Sequence, residues 1–240
     1  MHHIQFGNTV ISYTLDFSSR RKTLAIQVSE TGVKVIAPAK TGKAEIEAVL
    51  CKKATWILQQ LDDFEEIQSY EEKIRFLSGE KLPYLGRNYR LKVFKEAVEK
   101  PSFSFKQGKF IAIVPSTVSD DQLREILYPE FKKWVMARAK RVAAERVKRY
   151  QLTSNLIPSE IKIKDQQLRW GSCTASGNII LNWKVFLAPM PILDYIIAHE
   201  MAHLKVMNHS PKFWDTLEML DPDYIDKKEW LRLNGRKLYI

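Results

Sequence analysis

The chain has 240 residues, 45% of them hydrophobic and 28% charged, proportions that are ordinary for a globular protein. The formal net charge of +10 favours anionic partners such as nucleic acid or nucleotides, although it equally serves solubility. Two cysteines give no disulfide framework, and neither a membrane-spanning apolar run nor a secretory leader is found. We therefore expect a cytoplasmic protein that does not associate with membranes.

The first 115 residues read as a β-rich scaffold with one long helix. Alternating β-branched residues predict strands at 10–15, 23–28 and 33–36, and apolar residues at three- and four-residue steps predict a helix over 41–68. A polar break follows at 69–73. Two hairpins are expected next, over 80–94 and 103–114, with turns at 86–88 and 107–109. The sequence of this part does not indicate a group of catalytic residues.

A basic helix is predicted to open the second part, residues 116–240. It begins after Ser119, runs to about Tyr150, and has Pro129 as a kink or a restart. Its second half carries eight lysines and arginines against a single acid, Glu145. Such a helix could follow a phosphate backbone, but charge runs on helices are usually solvated faces.

A hairpin that turns at Gly177 and Asn178 is expected within residues 160–187. It precedes an apolar segment that starts at the prolines 189 and 191, where a new helix is predicted. The hairpin could form one wall of a site, and an extended peptide could add to its edge. Alternatively, it only covers the helix.

The histidines are concentrated in one stretch of this helix. His199 and His203 are four residues apart, so a helix presents both imidazoles on one face. Glu200 lies about 100° further round, and His209 follows after a turn. Three imidazoles and an open position are typical of catalytic zinc. An accidental cluster on a solvated face is the alternative, but the preceding residues 192–198 are apolar enough to be buried, and buried imidazoles need partners.

Three motifs carry a resemblance to a known family: residues 169–173 (RWGSC), 199–203 (HEMAH) and 208–214 (NHSPKFW). With them the sequence resembles the YgjP-like family of zinc metallopeptidases, a relative of the SprT-like and WLM groups of zincins. The resemblance implies an α+β protein in which a minimal zincin-like catalytic domain follows the β-rich part. It also implies that His199, His203 and His209 bind Zn2+ and that Glu200 is the general base. Val206 stands where metzincins have a turn glycine.

The expected activity is hydrolysis of peptide or protein substrates by a zinc-activated water. Two alternatives remain: a metal-dependent nucleoside triphosphate pyrophosphohydrolase, for which the positive charge is suitable, and a protease associated with DNA. Candidates for contacting the substrate are Arg169, Asn182, Tyr195 and Tyr224.

Overall fold

A computed structural model describes residues 2–7, 9–19, 21, 23–29, 32–61, 74–167 and 169–240. The chain forms two compact units, Met1–Glu71 and Glu72–Ile240. This division differs from the expected boundary between residues 115 and 116, because the hairpins of 80–114 belong to the second unit. None of the helices in the described ranges has the length and apolar character needed to cross a membrane.

The first unit is a four-stranded sheet with a helix. Its strands are β1 (His2–Phe6), β2 (Thr9–Ser18), β3 (Ala25–Ser29) and β4 (Gly32–Pro38), in the order β1-β2-β4-β3. Helix α1 (Lys43–Lys52) follows, and residues 54–61 are also helical. Alternate residues of β4 are buried together with Ile46 and Leu50 of α1. The rest of the predicted helix, 62–68, and the break at 69–73 lie outside the described residues.

The second unit begins with another four-stranded sheet. Its strands are β5 (Lys81–Tyr84), β6 (Arg87–Glu96), β7 (Ser102–Lys106) and β8 (Lys109–Pro115), in the order β5-β6-β8-β7. Both predicted hairpins are confirmed, and parallel pairing of β6 with β8 joins them.

Helix α2 (Leu123–Ser154) is the central helix of this unit. A 3-10 turn, Asp120–Gln122, precedes it, and the Gln122 side chain accepts a hydrogen bond from the Ser119 backbone N–H at 3.0 Å. The helix continues through Pro129, so of the kink and the restart expected there as alternatives, the restart is wrong. Leu127 and Phe131, on either side of that proline, are fully buried, and their packing offsets the lost backbone hydrogen bond.

The elements that carry the histidines complete the unit. A sheet of order β10-β11-β9 contains β9 (Glu160–Lys164), β10 (Gly171–Cys173) and β11 (Asn178–Asn182), so β10 is an edge strand. A 3-10 segment (Trp183–Leu187) leads to α3 (Met190–His203), and α4 (Pro211–Leu220), α5 (Tyr224–Asn234) and a 3-10 turn (Gly235–Leu238) follow. The predicted hairpin turn is confirmed, with Gly177 at φ 75°. The α+β class is confirmed as well.

Helix α3 is held firmly because it is apolar on nearly every side. Ile192, Leu193, Ile196 and Ile197 are all at most 4% exposed. On its polar side, Asp194 accepts a 2.6 Å hydrogen bond from Arg146 Nε of α2. Burial of this helix fixes the positions of the side chains that project from its last turn.

Candidate metal centre

Three imidazoles converge at the end of α3. His199 and His203 lie in its last turns, and the ligand atoms of His199, His203 and His209 all lie within 4.8 Å of one another. The Nε2 atoms of His199 and His209 are 3.1 Å apart. Two nitrogens that bind one tetrahedral zinc at 2.0–2.1 Å are about 3.3 Å apart. The distance between the two Nε2 atoms is therefore close to that expected for two ligands of one zinc ion.

His209 reaches the other two rings because the chain turns after α3 and starts α4 at Pro211. Residue Phe213, in the first turn of α4, is fully buried. Its ring lies 4.9 Å from His199, 4.4 Å from His203 and 4.7 Å from His209, measured between centroids. Trp214 flanks the outer side of His209, with centroids 5.7 Å apart. Aromatic packing therefore fixes the third histidine.

The tautomer of His203 is set by the backbone. Its Nδ1 lies 3.0 Å from the carbonyl oxygen of Val206. Because a carbonyl can only accept, Nδ1 must carry the proton, which leaves the Nε2 lone pair free for a metal. Val206 thus contributes a backbone oxygen that orients the imidazole of His203.

The imidazoles of His199 and His203 bind protons weakly. Burial, together with the neighbouring His203, His209 and Lys228, lowers the pKa of His199 to about 3. Burial also lowers the pKa of His203, against the opposing effect of its hydrogen bond to Val206. Both imidazoles are therefore neutral at pH 7, which is the form that binds metal.

Glu200 has a buried carboxyl group. It is 5% exposed, and its Oε2 is buried without a hydrogen-bond partner among the described residues. Burial raises the pKa of Glu200 to about 8, and Arg169 acts in the opposite direction. A proton or a nearby cation would relieve this unfavourable burial.

The edge strand β10 contacts this carboxylate directly. A Cβ atom at Gly171 would lie 2.7 Å from Glu200 Oε1 and 2.9 Å from its Cγ. Only glycine lets the backbone come so close. The sequence placed Gly171 in a motif but indicated no role for it, because close backbone approach has no signature in a single sequence.

A cavity of about 210 Å3 opens beside Glu200 and His199. Two of the predicted substrate contacts, Arg169 and Tyr195, line it, together with Trp170, Gly171, Ile196 and Leu231. Tyr195 is 6% exposed, and burial, followed by the charge of Glu200, raises its pKa to about 12. Its phenol is therefore protonated at pH 7 and can donate a hydrogen bond.

The other two predicted substrate contacts are placed elsewhere. Asn182 is fully buried, and its Nδ2 donates to the carbonyl oxygens of Gln166 at 2.7 Å and Arg169 at 2.9 Å. It holds the segment that carries Arg169. Tyr224 stacks on Trp214 with centroids 5.7 Å apart and is not among the residues that line the cavity.

The donor set fits a metal ion of the zinc type. Three imidazoles with converging nitrogens are the ligand type of catalytic zinc, whereas magnesium and calcium prefer oxygen. Within the described ranges, the group that could hold an ion consists of His199, His203 and His209 alone. Glu200 is adjacent to the group but is not one of its members.

One family model and one solved structure are similar to this chain. The family model of the YgjP-like metallopeptidase domain matches residues 22–234. The crystal structure of the metallopeptidase zymogen of Pyrococcus abyssi abylysin is similar at 20% identity and a TM-score of 0.35, covering 39% of this chain and 93% of that one. No curated protein matches. Since the family model spans most of the sequence and confirms the resemblance found in its motifs, this chain belongs to the YgjP-like metallopeptidase family.

Proposed function

We propose that this protein is a zinc-dependent peptidase in which His199, His203 and His209 hold the metal and Glu200 is the general base. The observation that carries the proposal is the pairing of three converging imidazoles with a buried carboxyl group whose Oε2 has no hydrogen-bond partner among the described residues. When bound, zinc would polarise the scissile carbonyl and acidify a water molecule.

Glu200 supplies the proton transfers. Its Oε2, free of hydrogen bonds to the described residues, is available to accept a proton from the attacking water. The same carboxyl then donates that proton to the leaving amine. Tyr195, held in the protonated form, is suited to donate a hydrogen bond to the oxyanion that develops on the substrate.

The edge strand β10 and the cavity are suited to bind a peptide substrate. An extended substrate would pair with β10 through main-chain hydrogen bonds, and this would bring a scissile bond past Glu200. One substrate side chain would then enter the cavity beside Trp170, Ile196 and Leu231, where Arg169 contributes a positive charge to the lining. We expect a preference for apolar side chains of moderate size.

The proposal is tested by comparing the wild type with Glu200→Gln on a mixture-based peptide library and on casein. The variant should bind one zinc per chain, measured by elemental analysis after dialysis, and should lose turnover by at least about a hundredfold. Glu218→Gln is a matched control, because Glu218 is an exposed acid of α4, and it should leave turnover unchanged. Undiminished cleavage by Glu200→Gln refutes the base assignment. Release of pyrophosphate from nucleoside triphosphates, with no peptide cleavage, would replace the peptidase by the pyrophosphohydrolase.

A further inference from the structure

The two units contain the same strand arrangement. In each, two hairpins are joined by parallel pairing of their second strands, and a helix follows. The registers also agree: Ser18 of β2 pairs with Pro38 of β4, and Glu96 of β6 pairs with Pro115 of β8. The residue pairs within the hairpins correspond as well. In every strand, a residue of the second sheet lies nearly the same number of positions after its counterpart in the first sheet. Each position of the second sheet therefore has a counterpart in the first.

The second sheet presents a row of cations across all four strands. Lys81 of β5 pairs with Arg90 of β6, and Lys106 of β7 pairs with Lys109 of β8. The parallel register of β6 and β8 places Arg90 beside Lys109. All four alternate with core residues along their strands, share the outer face and are exposed. We call them the cation row. At about 4.8 Å between strands, it spans roughly 15 Å.

This arrangement is unfavourable within the protein alone, because like charges directly opposite each other destabilise a sheet. None of the salt bridges between described residues includes a member of the cation row. In the first sheet the corresponding positions are His3, Ser12, Gly32 and Ser29. The strand arrangement therefore does not require the cations.

The same face extends beyond the row along β6. Lys92, two residues after Arg90, is exposed, and Phe94, two residues further, is 46% exposed. In the first sheet the positions of Lys92 and Phe94 are occupied by Thr14 and Asp16. Among the described residues of the two sheets, the combination of a line of positive charge with an exposed aromatic ring on one face is thus found in the second sheet.

The two units also differ in net charge. Residues 72–240 contain thirty lysines and arginines against nineteen acids, whereas residues 1–71 contain eight against nine. The net positive charge of the protein belongs entirely to the unit that carries the cation row.

We propose that the outer face of the β5–β8 sheet binds single-stranded nucleic acid, with phosphates on the cation row and Lys92 and a base stacked on Phe94. Flat sheets that combine cations with exposed aromatic rings bind single strands because the bases are free to stack. A duplex would reach the cations but could not use Phe94. This binding is separate from the peptidase chemistry proposed above.

The test measures binding of the full-length protein to a fluorescent 20-nucleotide single strand by anisotropy at several salt concentrations. The triple variant Arg90→Gln/Lys106→Gln/Lys109→Gln should bind about tenfold or more weakly, and its slope of log affinity against log salt should be smaller by about 2. Phe94→Ala should weaken single-strand binding about fivefold or more and leave duplex binding unchanged.

A matched control is Lys140→Gln/Lys148→Gln/Arg149→Gln, which removes three exposed charges from α2 and should retain nearly the wild-type affinity. Equal losses in both triple variants would show diffuse attraction and overturn the proposal, as would a wild type that does not bind the strand. Vesicles of phosphatidylserine serve as the competing surface: sedimentation that depends on the cation row, without strand binding, would assign the face to membranes instead. All replaced residues are exposed, and an unchanged thermal midpoint verifies the fold of each variant.

Discussion

Replacing Glu200 with glutamine should stabilise the metal-free protein, by an amount that grows with pH. Burial raises the pKa of this carboxyl to about 8 from its ordinary value of 4.5. Between these values the folded state holds a proton that the unfolded state has released. The free energy of unfolding of the wild type therefore falls as pH rises through this window. Glutamine has nearly the same shape and no titration.

The size of the effect follows from the two pKa values. At pH 7 the unfolded carboxyl is ionised and the folded one is not, and 2.5 pH units above 4.5 correspond to about 3 kcal/mol in favour of the unfolded wild type. At pH 5 the same difference is below about 1 kcal/mol. The low pKa of His199, about 3, imposes a pH dependence of the opposite sign below its ordinary pKa. Since both proteins contain His199, the difference between them isolates Glu200.

The assay is urea unfolding of chelator-treated wild type and Glu200→Gln at pH 5 and pH 7. The advantage of the variant should grow by about 2 to 3 kcal/mol between the two pH values. Glu218→Gln, which replaces an exposed carboxylate, should show no such growth. With zinc restored, the difference should shrink, because a nearby cation favours the ionised carboxylate. A gap that is the same at both pH values would refute the reasoning.

Four other substitutions test separate parts of the site. His209→Ala should reduce zinc retention after dialysis by orders of magnitude while the thermal midpoint of the metal-free protein stays constant, because His209 is exposed. Gly171→Ala should lower kcat at least about tenfold at unchanged zinc content, because the new Cβ would meet the Glu200 carboxylate at 2.7 Å. Tyr195→Phe should lower kcat by about tenfold with little change in KM if its hydroxyl acts mainly in the transition state. Asn182→Ala should lower the urea-derived free energy of unfolding by about 2 to 4 kcal/mol, because two carbonyl oxygens lose their donor.

The convergence of the three histidines could be predicted because it depends on local geometry. Two histidines four residues apart on a helix share a face wherever the helix lies, and the apolar residues before them indicated burial. A short turn is enough to bring His209 to the other two rings, and the Ser210–Pro211 pair indicated where the next helix starts. The hairpins were predictable for the same reason, since each is closed by its own turn residues.

The surroundings of Asn182, Gly171 and Tyr224 could not be predicted because they depend on distant segments. Asn182 is a polar residue of a type common in binding sites, but its amide Nδ2 donates hydrogen bonds to the carbonyl oxygens of residues 166 and 169. Gly171 matters only because the carboxylate of Glu200 approaches it from another element. Tyr224 is turned toward Trp214 by stacking. In each case, the partner is set by tertiary packing.

The two units share a strand arrangement, so a comparison of their sheets shows which residues the fold requires. Val33, Val35 and Ala37 of β4 are buried, and so are their counterparts in β8, Phe110, Ala112 and Val114. Apolar character recurs at these inner positions while the residues themselves differ, so a single pass along the sequence does not reveal the correspondence. The outer positions are free to diverge because packing does not constrain them. A row of like charges at such positions, absent from the counterpart sheet, is therefore better explained by a ligand than by the fold.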